Sequence, residues 1–298
     1  MNRFELLIPK TLSEAEEALT AKGELVRPWA GGTALMLMMK SKLIAPKVLV
    51  ALQALKPELS GMALDDEGNL RLGSMTTLRE LELSPLVRQF SPAMSHALRT
   101  LSNVRVRNVA TLGGHLAHAD PHQDLPAILL ALDASVRVHS RTQERWIPLK
   151  DLIKGYYQTS LVAGELITEV MIPPKPPGYQ GFYLKETALT ADDWPVIGVC
   201  AFVHVSEGVI QAAQIALGAV SDRPLRLSAV EALLIGQTAT PGLLAKAGEL
   251  ASQGVQPLED LRGSEPYKRE LVRVAVRRTL EKVLGWHGKG GNQGGNHS

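Results

Sequence analysis

A single cysteine, Cys200, is all that the 298 residues contain. An intramolecular disulfide is excluded, and so is a self-contained iron–sulfur cluster, which takes about four thiolates. A reducing, cytoplasmic setting is the default expectation. Aromatic residues are scarce at 4%, which leaves few large anchors to mark an interface. No apolar run reaches the roughly 18 consecutive residues of a membrane span, so no membrane insertion is expected. The start, Met1-Asn2-Arg3-Phe4-Glu5, has neither an apolar signal core nor a twin arginine, so work outside the cytoplasm would need a partner as carrier. Charge of either sign is not in excess: 32 basic residues face 30 acidic ones. That balance predicts no strong attraction to nucleic acid or to an anionic membrane. What remains, 45% hydrophobic and 21% charged, is ordinary for a soluble chain long enough for two domains.

Glycine, by contrast, is placed with a pattern. Residues 105 to 126 read RVRNVATLGGHLAHADPHQDLP. A β-branched lead (Val104, Val106, Val109) runs into Gly113-Gly114, and an apolar helix from Leu125 to Leu132 follows, entered through Asp124 and Pro126. Residues 24 to 40 repeat that grammar: a short apolar strand, Gly31-Gly32-Thr33, then an apolar helix. Gly-Gly pairs permit positive φ and close approach of another molecule to the main chain. Free N–H groups near a helix start suit a phosphate. Neither segment gives G-x-G-x-x-G, and no Gly-Lys-Ser/Thr follows, so Rossmann and Walker A loops are excluded. Two such turns could close on one diphosphate from two sides, which points to a dinucleotide or similar ligand.

Around these turns the chain reads as short alternating elements. Residues 3 to 8 form a strand ended by Pro9, and a helix follows with Ser13 as cap and Gly23 as stop. Leu35 to Met39 predicts a buried helix, its methionines filling core. Val48 to Val50 closes a small βαβ unit. Asp65 to Asn69 is a solvated hairpin tip, Thr77 caps a helix, and Ser91-Pro92 opens another that runs towards Leu101. Val136 to His139 pairs with Arg145 to Pro148, and Leu166 to Ile172 is a further strand. The run PPKPPGYQG at 173 to 181 marks a domain boundary. Beyond it lie strands at 182–185, 196–205 and 209–218, then helices near 225–235, 241–252 and 266–284. The last of these carries Leu271, Ala275 and Leu280 inward and Arg273, Arg277 and Lys282 outward. The glycine-rich end has no core-forming capacity.

Trp29-Ala30-Gly31-Gly32-Thr33 and Arg107-Asn108-Val109-Ala110-Thr111-Leu112-Gly113-Gly114 resemble the two flavin-binding segments of the molybdenum hydroxylase FAD subunit. That family includes the medium subunits of carbon monoxide, aldehyde and xanthine dehydrogenases. The resemblance continues through Ala119-Asp120-Pro121, Asp124-Leu125-Pro126, Leu130 to Ala134, Ile215 to Gly218, and Arg262-Gly263-Ser264 with Tyr267. It implies an α+β fold: a PCMH-type FAD-binding domain at 1–175, of two α/β subdomains (about 1–55 and 56–175). A C-terminal α+β domain with a small antiparallel sheet and helices follows at 176–284, and a flexible tail at 285–298.

FAD is the cofactor the resemblance implies for this chain. Ala30, Gly31, Gly32, Thr33, Ala34 and Leu35 would offer main-chain N–H groups, and Thr33 a hydroxyl, to its pyrophosphate, with Pro28 and Trp29 in the same cofactor-binding segment. Thr111, Gly113, Gly114 and His115 would close from the other side. Asp124 matches an acid that contacts the adenosine portion, although it is also a good helix-cap candidate before Leu125-Pro126. Lys185 matches a lysine beside the flavin ring; read without the family, it is a strand-edge lysine in solvent. Leu101 and Ile167 fall where the family packs apolar side chains on the flavin. Two positions depart from the pattern: Ala34 stands where a polar residue is usual, and His115 where asparagine or serine is usual.

The implied activity is oxidoreductase electron relay. Partner subunits would hold molybdopterin (the large one) and two [2Fe–2S] clusters (the small one), and FAD would pass electrons to NAD⁺, oxygen or a quinone. Rivals are a self-sufficient FAD oxidoreductase, which lacks a visible acid/base pair, and an assembly subunit with a decayed flavin site. A metal cluster of His115, His118, Asp120 and His122 is disfavoured by loose spacing. Cys200, in an apolar strand, reads as an inert buried thiol.

Overall fold

The computed structural model describes residues 2–21 and 25–285. Gly23 and residues 286–298 of the glycine-rich end lie outside the described residues. Three sheets organise the chain, and the first is parallel. It is built from β1 (Glu5–Leu7), α1 (Leu12–Ala21), β2 (Val26–Trp29), α2 (Thr33–Lys40) and β3 (Val48–Ala51), with strand order β1-β3-β2. All four residues of β3 are buried, as expected of a central parallel strand covered on both faces. Two expectations are corrected here. Thr11, not Ser13, caps α1, its hydroxyl accepting from the Glu14 N–H at 3.2 Å. And α2 is not a buried helix: only Met39 is buried, while Leu37 is 65% exposed.

The second sheet is antiparallel. Its elements, in chain order, are α3 (Lys56–Leu59), β4 (Met62–Leu64), β5 (Leu70–Gly73), α4 (Leu78–Leu83), α5 (Pro85–Phe90), α6 (Pro92–Thr100), α7 (Val104–Arg107), α8 (Leu112–His118), α9 (Leu125–Ala131), β6 (Ser135–His139), β7 (Glu144–Pro148), α10 (Leu149–Leu152), β8 (Ile153–Gly155), β9 (Gln158–Thr159) and β10 (Leu166–Ile172). The strand order is β4-β5-β10-β6-β7, with β8 and β9 forming a separate hairpin. Asp65 builds the β4–β5 turn by accepting from the N–H groups of Glu67 and Asn69 at 3.1 and 2.9 Å. Thr77 and Glu80 form a reciprocal capping box on α4, an arrangement worth about 1 kcal/mol. Ser91 caps α6 as expected.

The β-branched lead into the second glycine pair is not a strand. It is α7, a single helical turn capped by Asn103, whose side chain accepts from the Val106 N–H at 3.1 Å. The buried Arg107 guanidinium donates to the Leu101 and Ser102 carbonyls, and Ser102 takes φ 55°. These bonds fold the chain back on itself, and local capping overrides the β preference of valine. Val104 and Val109 are left exposed.

The third sheet follows residue 178. It comprises β11 (Tyr179–Thr187), β12 (Pro195–Ser206), β13 (Val209–Gly218) and β14 (Leu225–Arg226), antiparallel in that order, covered by α11 (Ser228–Leu234), α12 (Pro241–Gln253) and α13 (Glu265–Val283). Along β12 the side chains alternate between two cores. Ile197, Val199, Ala201 and Val203 pack under α11–α13. Cys200 and Phe202, with Tyr183 of β11, join the core that contains α6 and α9. A strand buried on both faces reads as an unbroken apolar run, as residues 196–205 do. On α13 the inward positions are Val272, Ala275, Val276, Thr279, Leu280 and Val283, with Leu271 only half-buried. The fold is α+β. Among the described residues no helix is long and apolar enough to cross a membrane.

Candidate flavin site

The two glycine segments meet. A Cβ placed on Gly31 would lie 2.0 Å from the Val109 carbonyl oxygen, and one on Gly114 would be 3.7 Å from the Ala30 Cβ. Gly32 takes φ 71° as the N-cap of α2, where a Cβ would strike the Trp29 ring nitrogen at 2.1 Å. No side chain caps α2. The first N–H groups of the helix, on Thr33, Ala34 and Leu35, therefore keep no intrahelical acceptor and sit at the positive end of the helix dipole. Pro28 ends the exposed side of β2 and Trp29 is half-buried, which leaves the turn open to a ligand.

The second segment has a different construction from the first. Gly113 and Gly114 lie inside the first turn of α8, neither at positive φ. The Leu112 N–H donates to Thr76 O at 2.9 Å, Gly113 N–H to Ser74 O at 2.8 Å, and Gly114 N–H to the Thr111 hydroxyl at 3.2 Å. These donors are already engaged, so the reading of α8 as a second set of free N–H groups is corrected. Gly113 serves close packing instead, since a Cβ would meet Ser74 Cβ at 2.7 Å. The free polar group on this side is the His115 ring, whose Nε2 is buried without a hydrogen-bond partner. Burial, helped by the neighbouring His118, holds its pKa down to about 3, so the ring is neutral at physiological pH and its Nε2 can donate or accept according to tautomer.

A buried polar cluster of Lys185, Asp124 and Tyr183 adjoins the apolar core. Lys185 donates to the Thr100 carbonyl at 2.8 Å and to Asp124 Oδ2 at 3.2 Å. Its side chain is 7% exposed, so the solvent-lysine reading fails. Asp124 is 4% exposed and makes no side-chain cap on α9; burial raises its pKa against the opposing pull of Lys185. Its other oxygen accepts from Tyr183 Oη at 2.6 Å. Leu101 and Ile167 are both buried in the adjoining core. Sequence reasoning missed Tyr183. The available signals were its i,i+2 spacing from Lys185 on one strand and a lone glycine, Gly198, in the apolar partner strand.

The histidines past α8 are committed elsewhere. His122 lies 3.4 Å from Asp120 and 3.0 Å from Asp260, and Asp120 also takes the Tyr157 hydroxyl at 3.1 Å. Among the described residues no group of three or more His, Cys, Asp or Glu side chains is placed to hold a metal ion.

A family model for the FAD binding domain in molybdopterin dehydrogenase matches residues 2–175, and one for the CO dehydrogenase flavoprotein C-terminal domain matches residues 182–283. The chain belongs to the FAD-binding subunits of the molybdenum hydroxylases. The 6-hydroxypseudooxynicotine dehydrogenase complex subunit alpha of Paenarthrobacter nicotinovorans is similar to it, 32% identical over 94% of each chain. The carbon monoxide dehydrogenase medium chain of Hydrogenophaga pseudoflava is 30% identical over 93% of this chain and 96% of its own length. A solved structure of the carbon monoxide dehydrogenase of Hydrogenophaga pseudoflava superposes with TM-score 0.92 at 31% identity, covering 96% of this chain and 98% of that one. This flavoprotein subunit is thus an oxidoreductase component with FAD as its cofactor. Its residues fit the group. The uncapped start of α2 offers free N–H groups of the kind an anion accepts from, Gly31 lets that turn pack against Val109, and a buried His115 Nε2 lacks a partner. At the two positions that depart from the family pattern, Ala34 keeps its main-chain N–H at the helix start, and a histidine ring nitrogen can donate one hydrogen bond.

Proposed function

We propose that this chain is the electron-transfer flavoprotein of a molybdenum hydroxylase complex. A large molybdopterin subunit would act on the organic substrate, and a small subunit with two [2Fe–2S] clusters would deliver electrons here. Bound FAD supplies the carrier between those one-electron clusters and an external acceptor, NAD⁺, oxygen or a quinone. In this reading the N–H groups of Thr33, Ala34 and Leu35, in the turn from Pro28 to Leu35, hold the pyrophosphate. Thr111, Gly113, Gly114 and His115 close the opposite wall. Asp124 anchors the adenosine half, Lys185 offers its third N–H to the ring edge, and Leu101 and Ile167 support the ring. Division into 1–175, 176–284 and a tail, with a cytoplasmic location, belongs to the same proposal.

The observation that carries it is the contact between the glycine segments, which packs the turn leading into the uncapped N-terminus of α2 against Val109 and the first turn of α8. The test is the absorption spectrum of the isolated chain, before and after adding FAD. Flavin bands that persist through gel filtration, with FAD released on denaturation, are expected. A chain that stays colourless with FAD, alone and with its partner subunits, overturns the proposal.

A further inference from the structure

Asp124 sits on the first domain, yet its carboxylate is held from the third sheet. Side chains two apart on a strand share a face, and on β11 these are Tyr183 and Lys185. Tyr183 Oη donates to Asp124 Oδ1 at 2.6 Å, the shorter of the two contacts, while Lys185 Nζ reaches Oδ2 at 3.2 Å. Gly198 on β12 makes room for this: a Cβ there would lie 2.3 Å from Tyr183 Oη. The tyrosine ring is therefore seated in a hollow, 3% exposed, and its hydroxyl points at one carboxylate oxygen.

An ionised carboxylate has about four lone-pair sites. Two protein donors leave each oxygen some accepting capacity. Asp124 exposes only 4% of its surface, so a ligand has little room to meet it, and the orientation of the carboxylate decides whether a free lone pair is turned towards that ligand. Lys185 cannot fix the orientation by itself. It is shared with the Thr100 carbonyl, and an ammonium group rotates freely where a phenol in a fitted slot does not. Tyr183 also stays a donor at every physiological pH, because burial and then the charge of Asp124 push its pKa well up.

We propose that Tyr183 is a positioning residue for the cofactor, which acts through its 2.6 Å hydrogen bond to turn the Asp124 carboxylate towards the adenosine half of FAD. The inference rests on the reading that Asp124 anchors that half. The C-terminal sheet then belongs to the flavin site without touching the pyrophosphate.

The experiment is a double-mutant cycle on FAD affinity, using Tyr183→Phe, Asp124→Asn and the pair in the full chain stripped of flavin. Melting temperatures of the apoproteins are recorded beside the titrations. Tyr183→Phe should weaken FAD about tenfold, as expected for a lost hydrogen bond to a charged group. In the Asp124→Asn background the same change should alter affinity less than twofold, because its effect runs through the carboxylate. An unchanged affinity in Tyr183→Phe overturns the inference, and so does an equal loss in both backgrounds. If the wild-type chain fails to take up FAD at all, it is the parent reading that falls.

Discussion

Lys268, fully buried on α13, donates to Asp260 Oδ1 at 2.8 Å and to the Leu258 carbonyl at the same distance. Burial alone would raise the Asp260 pKa, but Lys268, the Arg262 N–H and His122 together hold it down to about 2. Because this folded value lies below the ordinary 3.8, the contribution to stability is complete above 3.8 and disappears as pH falls through about 2. Asp260→Asn should therefore destabilise the chain at neutral pH, by up to about 3–5 kcal/mol for a buried charge left uncompensated. The gap in melting temperature to wild type should close between pH 3.8 and about 2. A gap that stays constant through that range would remove the ion pair as its cause.

Gly31→Ala tests the contact between the two glycine segments. The added Cβ would fall 2.0 Å from the main-chain oxygen of Val109, which cannot rotate away as a flexible side-chain end can. Overpacking of this kind costs about 1–3 kcal/mol. FAD binding should suffer more than stability, with affinity down at least tenfold, because the shift moves Ala30 and the start of α2. Titration against the apoprotein, with melting temperature alongside, distinguishes the two.

His115 makes a different pH signature. Its pKa, held at about 3 by burial, lies below the 6.5 of the unfolded chain. The unfolded chain therefore takes up a proton first, and stability contributed by the neutral ring falls away as pH drops from 6.5 towards 3. His115→Asn, which cannot titrate, should lose less on acidification. The melting temperatures should diverge by several degrees, since about 1 kcal/mol moves a chain of this size by roughly 2–4 °C. Parallel acid profiles would show that the ring is not held neutral.

Cys200 is fully buried and its thiol pKa is pushed up by that burial. Since the thiolate is the reactive form, a chromogenic disulfide reagent should leave the native protein untouched. One equivalent should react after denaturation. Fast reaction in the native state would show that β12 opens locally.

Local signals were the legible part of this fold. The capping box at Thr77 and Glu80, the hairpin at Asp65 to Asn69, and β12 as an apolar run could each be read within a short window. The glycine segments could also be found, but their partnership could not be derived from spacing. Where local and tertiary terms conflict, the reading failed. Three valines before the second glycine pair favour a strand, and Asn103 with Arg107 makes them a helical turn. The methionines of α2 suggested core, yet the helix turns Leu37 outward. Tyr183 was invisible because its meaning depends on Gly198 and Asp124, on two other elements. Lys268 likewise reads as one more surface base on a basic helix until Asp260 is placed beside it.

The bond from Tyr183 to Asp124 spans 59 residues, and that from Lys185 to Thr100 spans 85. Closing loops of this length carries an entropic cost that must be met before either bond can form, so such contacts arise late in folding. During synthesis the chain exposes both glycine segments well before β11 has emerged. A chain ending at Pro174 should retain the turns yet leave Asp124 without either donor. Flavin uptake in a refolding experiment should accordingly lag behind the recovery of secondary structure. Simultaneous recovery would mean that the N-terminal region captures the cofactor unaided. If Asp124 anchors the cofactor as proposed, loading follows assembly, timed by the arrival of the last sheet.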